Sequence, residues 1–334
     1  MLITIDDAVT RLAGGDVVAL PSETVYGLAG LALNEQAIAK IYALKGRPAT
    51  NPLIVHVAHL QQAEELCYVN SQAKRVGEAY WPGPITLVLP KKKSVPGLVT
   101  AGNQTVAIRI PRHPVFLEVL TRLNQPLAAP SANPSNRTSP TEARHVEELF
   151  GKKCPPTVDG GKCAVGLEST VLDLSGDQPT ILRPGLITRA QIQDCLQRQV
   201  GLFQDPSPDP PAKEGQTGRN QGAPSPGMGS VHYAPRTPLA LYPTVEEFLI
   251  SAKFKPGDLV IVADGKDATQ LDAKGYLTTP LSTDGCPEEV AQNLYGVLIE
   301  LDAKNAPSMH LIFTGAREGI NRAIWDRLYR AETK

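Results

Sequence analysis

Residues 205–229 constrain the fold most. Eleven of these 25 residues are Pro or Gly, and the only apolar side chains among them are Ala212, Ala223 and Met228. Proline removes amide donors and fixes φ, glycine raises the entropy lost on ordering, and nothing in the stretch can be buried. The chain therefore reads as two parts, residues 1–204 and 236–334, joined by a linker at 205–235 whose stretch 205–222 is expected to be mobile. With 42% apolar and 20% charged residues over 334 positions, each part has the composition of a globular unit and the length to bury a core. Residues 1–200 carry 20 Lys and Arg against 17 Asp and Glu, net +3, and residues 201–334 carry 13 against 17, net −4. Neither balance calls for a polyanionic partner, but a small anion held by a few local cations is compatible with it.

Other classes are disfavoured on similar grounds. Aromatic residues make up 5% of the chain, too few for a platform that stacks nucleic-acid bases. No run approaches the ~18 apolar residues of a membrane span. The N-terminus lacks the basic and apolar regions of a signal peptide. Cys67, Cys154, Cys163, Cys195 and Cys286 are odd in number and scattered. They read as reduced thiols of a cytoplasmic protein, neither a disulfide framework nor a metal site.

In the first part, apolar runs at 17–20, 53–57, 85–89 and 106–110, bounded by Pro or Gly, read as strands, with further strands at 171–174 and 180–182. Residues 35–44 have helical apolar spacing. Residues 141–150 read as a helix capped by Thr141 and supported by an Arg144–Glu148 pair. The second part alternates helices (244–252, 287–304, 320–331) with strands (259–263, 310–313), which predicts a small parallel sheet. The loops Asp264-Gly265 and Thr314-Gly315 would then lie at the sheet edge that ligands favour, or be ordinary turns. The fold class is α/β in both parts.

No Walker A, GxGxxG, HExxH or GxSxG pattern is present, so any nucleotide must be held in another way. Instead there are dense polar segments. PSETVYG (21–27) follows a buried strand. Lys45-Gly-Arg47 can converge on a phosphate if extended, or complement a helix end. Arg109 alternates with apolar neighbours on a strand, where a cation needs water or a partner and its fork would suit a carboxylate. Residues 128–140 form a hydroxyl- and amide-rich loop stiffened by prolines. GLEST (166–170) precedes a strand and Arg183-Pro-Gly185 follows one. Lys45, Arg47, Arg109 and Arg183 together argue for an anionic small molecule such as a nucleotide.

These segments resemble the threonylcarbamoyl-AMP synthase family. The KxR pair (Lys45, Arg47), the SxN pair (Ser131, Asn133) and the phrases PSETVYGL, NPLIVHV, WPGPITLVL, VAIRIP, APSAN and ESTV occur in the family's order across nearly all of residues 1–200. The later LVIVADG and GINRAIWDRLYRA resemble the extra domain of the family's long form. The resemblance implies a YrdC-like twisted mixed-sheet domain followed by a small Rossmann-like α/β C-terminal domain. It implies a nucleotidyltransferase that joins L-threonine, bicarbonate or CO2, and ATP into L-threonylcarbamoyladenylate and pyrophosphate. The product would pass to the downstream tRNA machinery that installs t6A at adenosine 37, with no direct tRNA binding required and no membrane involved. Mg2+ would be held mainly through the ATP phosphates, with no metal ligands on the protein.

Residue by residue, the resemblance places Thr24, His56, Arg109, Ala129 and Ser169 around threonine. It places Lys45, Arg47, Asn51, Thr105, Ser131, Asn133, Ser139, Arg183 and Tyr233 around ATP, with Lys45 and Arg47 neutralising the phosphates as the catalytic pair. Glu23 and Tyr26 would shape the pocket. The family's linker closes over the site, which makes 205–235 a candidate lid; it carries basic residues before HY, whereas this chain has Gly229-Ser-Val231 ahead of His232-Tyr233. An RNA-binding or ribosome-maturation protein of the same fold is the alternative reading.

Overall fold

Short apolar runs that end at Pro or Gly cannot extend into helices, and here they assemble into a nine-stranded mixed sheet. The computed structural model describes residues 1–203 and 232–333. Most of the stretch read as a linker, including Gly229-Ser-Val231, lies outside the described residues. The strands are β1 (Val18–Leu20), β2 (Gly27–Leu31), β3 (Ile54–His56), β4 (Ile85–Pro90), β5 (Thr105–Arg109), β6 (Leu127–Ala128), β7 (Thr170–Asp173), β8 (Thr180–Arg183) and β9 (Gly201–Leu202). Their order is β1-β2-β6-β3-β5-β4-β7-β8-β9. The pairs β3–β5, β4–β7 and β8–β9 are parallel and the others antiparallel. β2 and all but the last residue of β4 are buried, as expected of strands covered on both faces.

The helix read at 35–44 spans Glu35–Lys45, capped by the Asn34 side chain and closed by Gly46 in the left-handed conformation. The helix read at 141–150 begins later, at Ala143 after Glu142. Thr141 does not cap it: its backbone N–H donates to His145 Nδ1 at 3.3 Å. Arg144 pairs with Glu142 at 2.8 Å and with Glu300 of a distant helix, so the expected Arg144–Glu148 pair is replaced by a tie between the two parts of the chain.

The second sheet has β10 (Leu239–Tyr242), β11 (Leu259–Val262), β12 (Thr278–Pro280) and β13 (Met309–Ile312), all parallel in the order β10-β13-β11-β12. The predicted parallel sheet is therefore present. β12 was not legible because it is a three-residue edge strand ending in proline. The helix Gly265–Asp272, capped by Asp264, buries only Ala268 and Leu271 and carries no apolar stripe to read.

The helices Pro287–Asp302 and Gly319–Ala331 pack this sheet onto the larger one. Val25, Leu167 and Tyr233 share one buried cluster with Leu294, Tyr295, Ile324 and Leu328. Gly166 makes the close approach possible: its φ is +77°, and a Cβ there would lie 2.4 Å from Gln292 Cα.

His145 is fully buried in this junction, and its Nε2 has no partner among the described residues. Burial lowers its imidazole to about 4. The unfolded chain takes up a proton near the ordinary value of ~6.5 while the folded chain does not, so stability is lost as pH falls from 6.5 to about 4, by about 3 kcal/mol. Urea midpoints between pH 7.5 and 4 should fall more steeply for the wild type than for His145→Gln. Parallel profiles would contradict the assignment.

Candidate active site

The polar segments singled out in the sequence converge on one cleft of about 610 Å³. Thr24, Arg47, His56, Arg109, Ala129, Ser131, Ser169, Arg183 and Tyr233 line it. Most come from strand ends and the loops that follow them, while Arg47 follows the helix Glu35–Lys45, Ser169 precedes β7 and Tyr233 precedes β10, so residues far apart in sequence meet. Lys45 and Ser139 stand behind the wall, bonded to the lining residues Ser131 and Glu168. Asn51, Asn133 and Thr105 are not on the wall. Asn51 contributes its carbonyl to Arg47. Asn133 Nδ2 braces its own loop at Pro134 O and Arg137 O. Thr105 starts β5 while Arg109 ends it, about 13 Å away at strand rise, and Thr105 does not line the cleft.

At one end, Arg109 meets three internal partners. Its Nε donates to Gly83 O at 3.2 Å, Nη1 to Thr24 Oγ1 at 2.9 Å, and Nη2 lies 2.8 Å from Glu23 Oε1. The sequence left a cation in need of a partner, and the structure supplies it from within, as Glu23. Two of the five guanidinium N–H groups remain. Burial alone would raise the Glu23 carboxyl, but Arg109 outweighs it and holds the carboxyl below its ordinary value. Tyr26 is structural, its hydroxyl donating to Gly161 O at 2.9 Å. His56 sits beside Arg109 in the β3–β5 register, with its ring edge-on to Phe116 at 5.0 Å. Burial and the Arg109 charge push its imidazole well below the ordinary value, so it is neutral, and its Nδ1 has no partner among the described residues. Ser169 Oγ is 2.7 Å from Thr86 Oγ1.

At the other end, Arg47 Nε donates to Asn51 O at 3.1 Å and Nη2 to Pro52 O at 2.8 Å. Lys45 Nζ donates to Ser131 O at 2.6 Å and Asn133 O at 2.5 Å, fixing the helix end to the SxN loop. Arg183 Nε and Nη2 donate to Ser169 O at 3.1 and 3.0 Å. Gly185 lets the 183–185 turn close on this segment, since a Cβ there would lie 2.4 Å from Thr170 N. Neither Lys45 nor Arg47 forms a salt bridge among the described residues, although both are buried. Burial and mutual repulsion lower the Lys45 ammonium well below its ordinary value, and burial with Arg183 nearby lowers Arg47 to about 10. Buried positive charge without a carboxylate is relieved by an anion.

Tyr233 is fully buried at φ +66°. Its carbonyl accepts from Thr138 Oγ1 at 3.0 Å, but its phenol has no partner among the described residues. A non-glycine residue in this region and an unpaired buried hydroxyl each cost about 1–3 kcal/mol, a concentration of strain typical of binding sites.

Sequence reasoning assigned no role to Glu168, Phe116, Ile54 or His232, all on the wall. Glu168 lay within GLEST, but its partner Arg327 is 159 positions away and carried no signal. Phe116 and Ile54 are indistinguishable in sequence from core residues.

A family model described as telomere recombination, covering Sua5, YciO and YrdC, matches residues 10–185, and one described as the C-terminal domain of threonylcarbamoyl-AMP synthase matches residues 187–332. The threonylcarbamoyl-AMP synthase of Pyrococcus abyssi is 37% identical over 327 residues, covering 95% of this chain and 90% of the relative. The chain belongs to the threonylcarbamoyl-AMP synthase family. The threonylcarbamoyl-AMP synthase of Bacillus subtilis is 38% identical over 332 residues, covering 98% of this chain and 92% of the relative. The crystal structure of P. abyssi Sua5 complexed with L-threonine matches with a TM-score of 0.79 at 31% identity, covering 98% of this chain and 95% of that one. The mixed sheet followed by a smaller parallel sheet is thus the architecture of the threonylcarbamoyl-AMP synthase family. No helix among the described residues is long and apolar enough to cross a membrane.

Proposed function

We propose that the cleft joins L-threonine, bicarbonate or CO2, and ATP into L-threonylcarbamoyladenylate, with release of pyrophosphate. The carrying observation is buried positive charge at one end of the cleft, Arg47 on the wall with Lys45 behind it, that lacks a carboxylate partner among the described residues, while the other end is neutral and partly apolar. A triphosphate fits the first end. A small hydroxy amino acid fits the second, where His56 and Ser169 can meet its hydroxyl and amine, and the remaining Arg109 N–H groups its carboxylate. The relative solved with L-threonine supports L-threonine as a substrate.

The chemistry then needs little from the protein beyond positioning. The neutral threonine amine adds to CO2 and loses a proton, giving a carbamate. A carbamate oxygen attacks the α-phosphorus, the bond from that phosphorus to the α,β-bridging oxygen breaks, and pyrophosphate leaves with that oxygen. The residues here hold the two substrates together and stabilise phosphate charge, which accounts for large rate effects without a protein nucleophile. Mg2+ is read as entering with the triphosphate, because both Glu168 oxygens already accept hydrogen bonds from protein donors. The product is the donor for threonylcarbamoylation of tRNA adenosine 37 by downstream machinery.

The test is pyrophosphate release from ATP with bicarbonate and Mg2+, with and without L-threonine, using L-serine as control. Threonine-dependent release together with a threonylcarbamoyl adenylate in the mass spectrum is expected. ATP binding without threonine-dependent release would overturn the reading.

A further inference from the structure

No residue of the helices Pro287–Asp302 and Gly319–Ala331 lines the cleft, yet both reach the residues that do. Arg327 is completely buried in the middle of the last helix. Its Nε donates to Glu168 Oε2 at 2.9 Å, its Nη1 to Asp326 Oδ2 at 2.6 Å, and its guanidinium lies over the Tyr233 ring at 5.3 Å. Tyr295 donates to the same Glu168 oxygen at 3.0 Å and stacks on Tyr233 at 5.7 Å. The second Glu168 oxygen accepts from Ser139 Oγ at 2.6 Å. Burial would raise the Glu168 carboxyl, but the guanidiniums of Arg327 and Arg183 and these hydrogen bonds bring it down to about 2, so it is a carboxylate.

Such a network is a poor way to hold two units together. Desolvating a buried ion pair offsets most of its attraction, and apolar residues of the same volume would hold the junction as well. What it provides is direction. It fixes the Ser139 hydroxyl and over-determines a tyrosine held at positive φ.

We propose that Arg327 is a positioning residue for the nucleotide end of the cleft, acting through Glu168 and Tyr233. This rests on the reading that a nucleotide binds there. The C-terminal sheet then sets a site that it does not itself line.

Two variants separate positioning from charge and from general stability. Arg327→Lys keeps the cation and loses the fork. Glu168→Gln keeps the shape and removes a negative charge beside the bound anion. If Arg327 acts only as a charge, the first leaves nucleotide affinity unchanged and the second tightens it. If it positions, both weaken calorimetric binding of a non-hydrolysable ATP analogue, about tenfold or more, as expected for a misdirected charged hydrogen bond. The KM for L-threonine should move less than the nucleotide affinity, because among the described residues the Thr24, His56, Arg109 and Ser169 side chains make no hydrogen bond to Glu168, Tyr233 or Arg327. Equal losses for both substrates that follow the melting temperature would show a purely structural role and overturn the proposal. Should Arg327→Lys fail to fold, the direction of the Glu168→Gln change decides alone. A wild-type protein that does not bind the analogue would overturn the reading of the cleft, and this inference with it.

Discussion

Arg47→Ala should lower kcat/KM for ATP by about 10²–10³-fold while leaving the melting temperature within a few degrees of wild type. The two effects separate because Arg47 is poorly matched to the fold on its own. Its guanidinium is buried without a carboxylate partner among the described residues, and what it gains from the carbonyls of Asn51 and Pro52 is set against the desolvation of its charge. Removing it leaves one carbonyl short of a donor, but it also removes an uncompensated charge, and Asn51 O keeps the Tyr42 hydroxyl at 3.0 Å. Bound triphosphate reverses the balance, since the charge is then met. Lys45→Ala differs in kind. Its Nζ bonds to the carbonyls of Ser131 and Asn133 tie down the SxN loop, so this variant should lose both stability and activity. Wild-type turnover in Arg47→Ala would remove the triphosphate from this end of the cleft.

The legible parts of the fold were those with strong local signals. The apolar runs between prolines became β1, β3, β4 and β5, and the 3.6-residue spacing from Glu35 became a helix closed by Gly46. The site was legible as segments, since PSETVYG, KGR, the SxN loop and ESTV all reach one cleft. Pairing was not legible. That Glu23 rather than a substrate meets Arg109, that Lys45 braces a loop from behind the wall, and that Arg327 reaches Glu168 all depend on contacts 86 to 159 positions apart for which spacing carries no information. β12 and the Gly265–Asp272 helix were hidden by short length, a terminal proline and few buried side chains. The Arg144–Glu148 pair failed for a related reason: helical spacing offers Glu148, but Glu142 and the distant Glu300 offer better geometry.

The pairing of Arg109 leads to the second large effect. Glu23→Ala leaves a guanidinium that is 4% exposed without its counter-charge. Breaking a buried pair in this way costs about 3–5 kcal/mol, far more than the same change at the surface. The pH dependence follows. The Glu23 carboxyl is held below its ordinary value, so its contribution is complete above about 4.5 and is lost as pH falls through the lower folded value. That acid limb should be absent in the variant. L-threonine then distinguishes two roles for Arg109. If its two remaining N–H groups take the threonine carboxylate, the wild-type site binds that carboxylate close to Glu23, against repulsion, and the variant does not. Saturating threonine should then raise the melting temperature of Glu23→Ala by more than it raises that of the wild type, because the ligand replaces the missing carboxylate. Equal shifts would mean that the threonine carboxylate is held elsewhere and that the Arg109–Glu23 pair only fixes the Thr24 hydroxyl and the Gly83 turn. The stronger ligand response in the less stable protein would identify Glu23 as a built-in stand-in that keeps Arg109 in place until the substrate arrives.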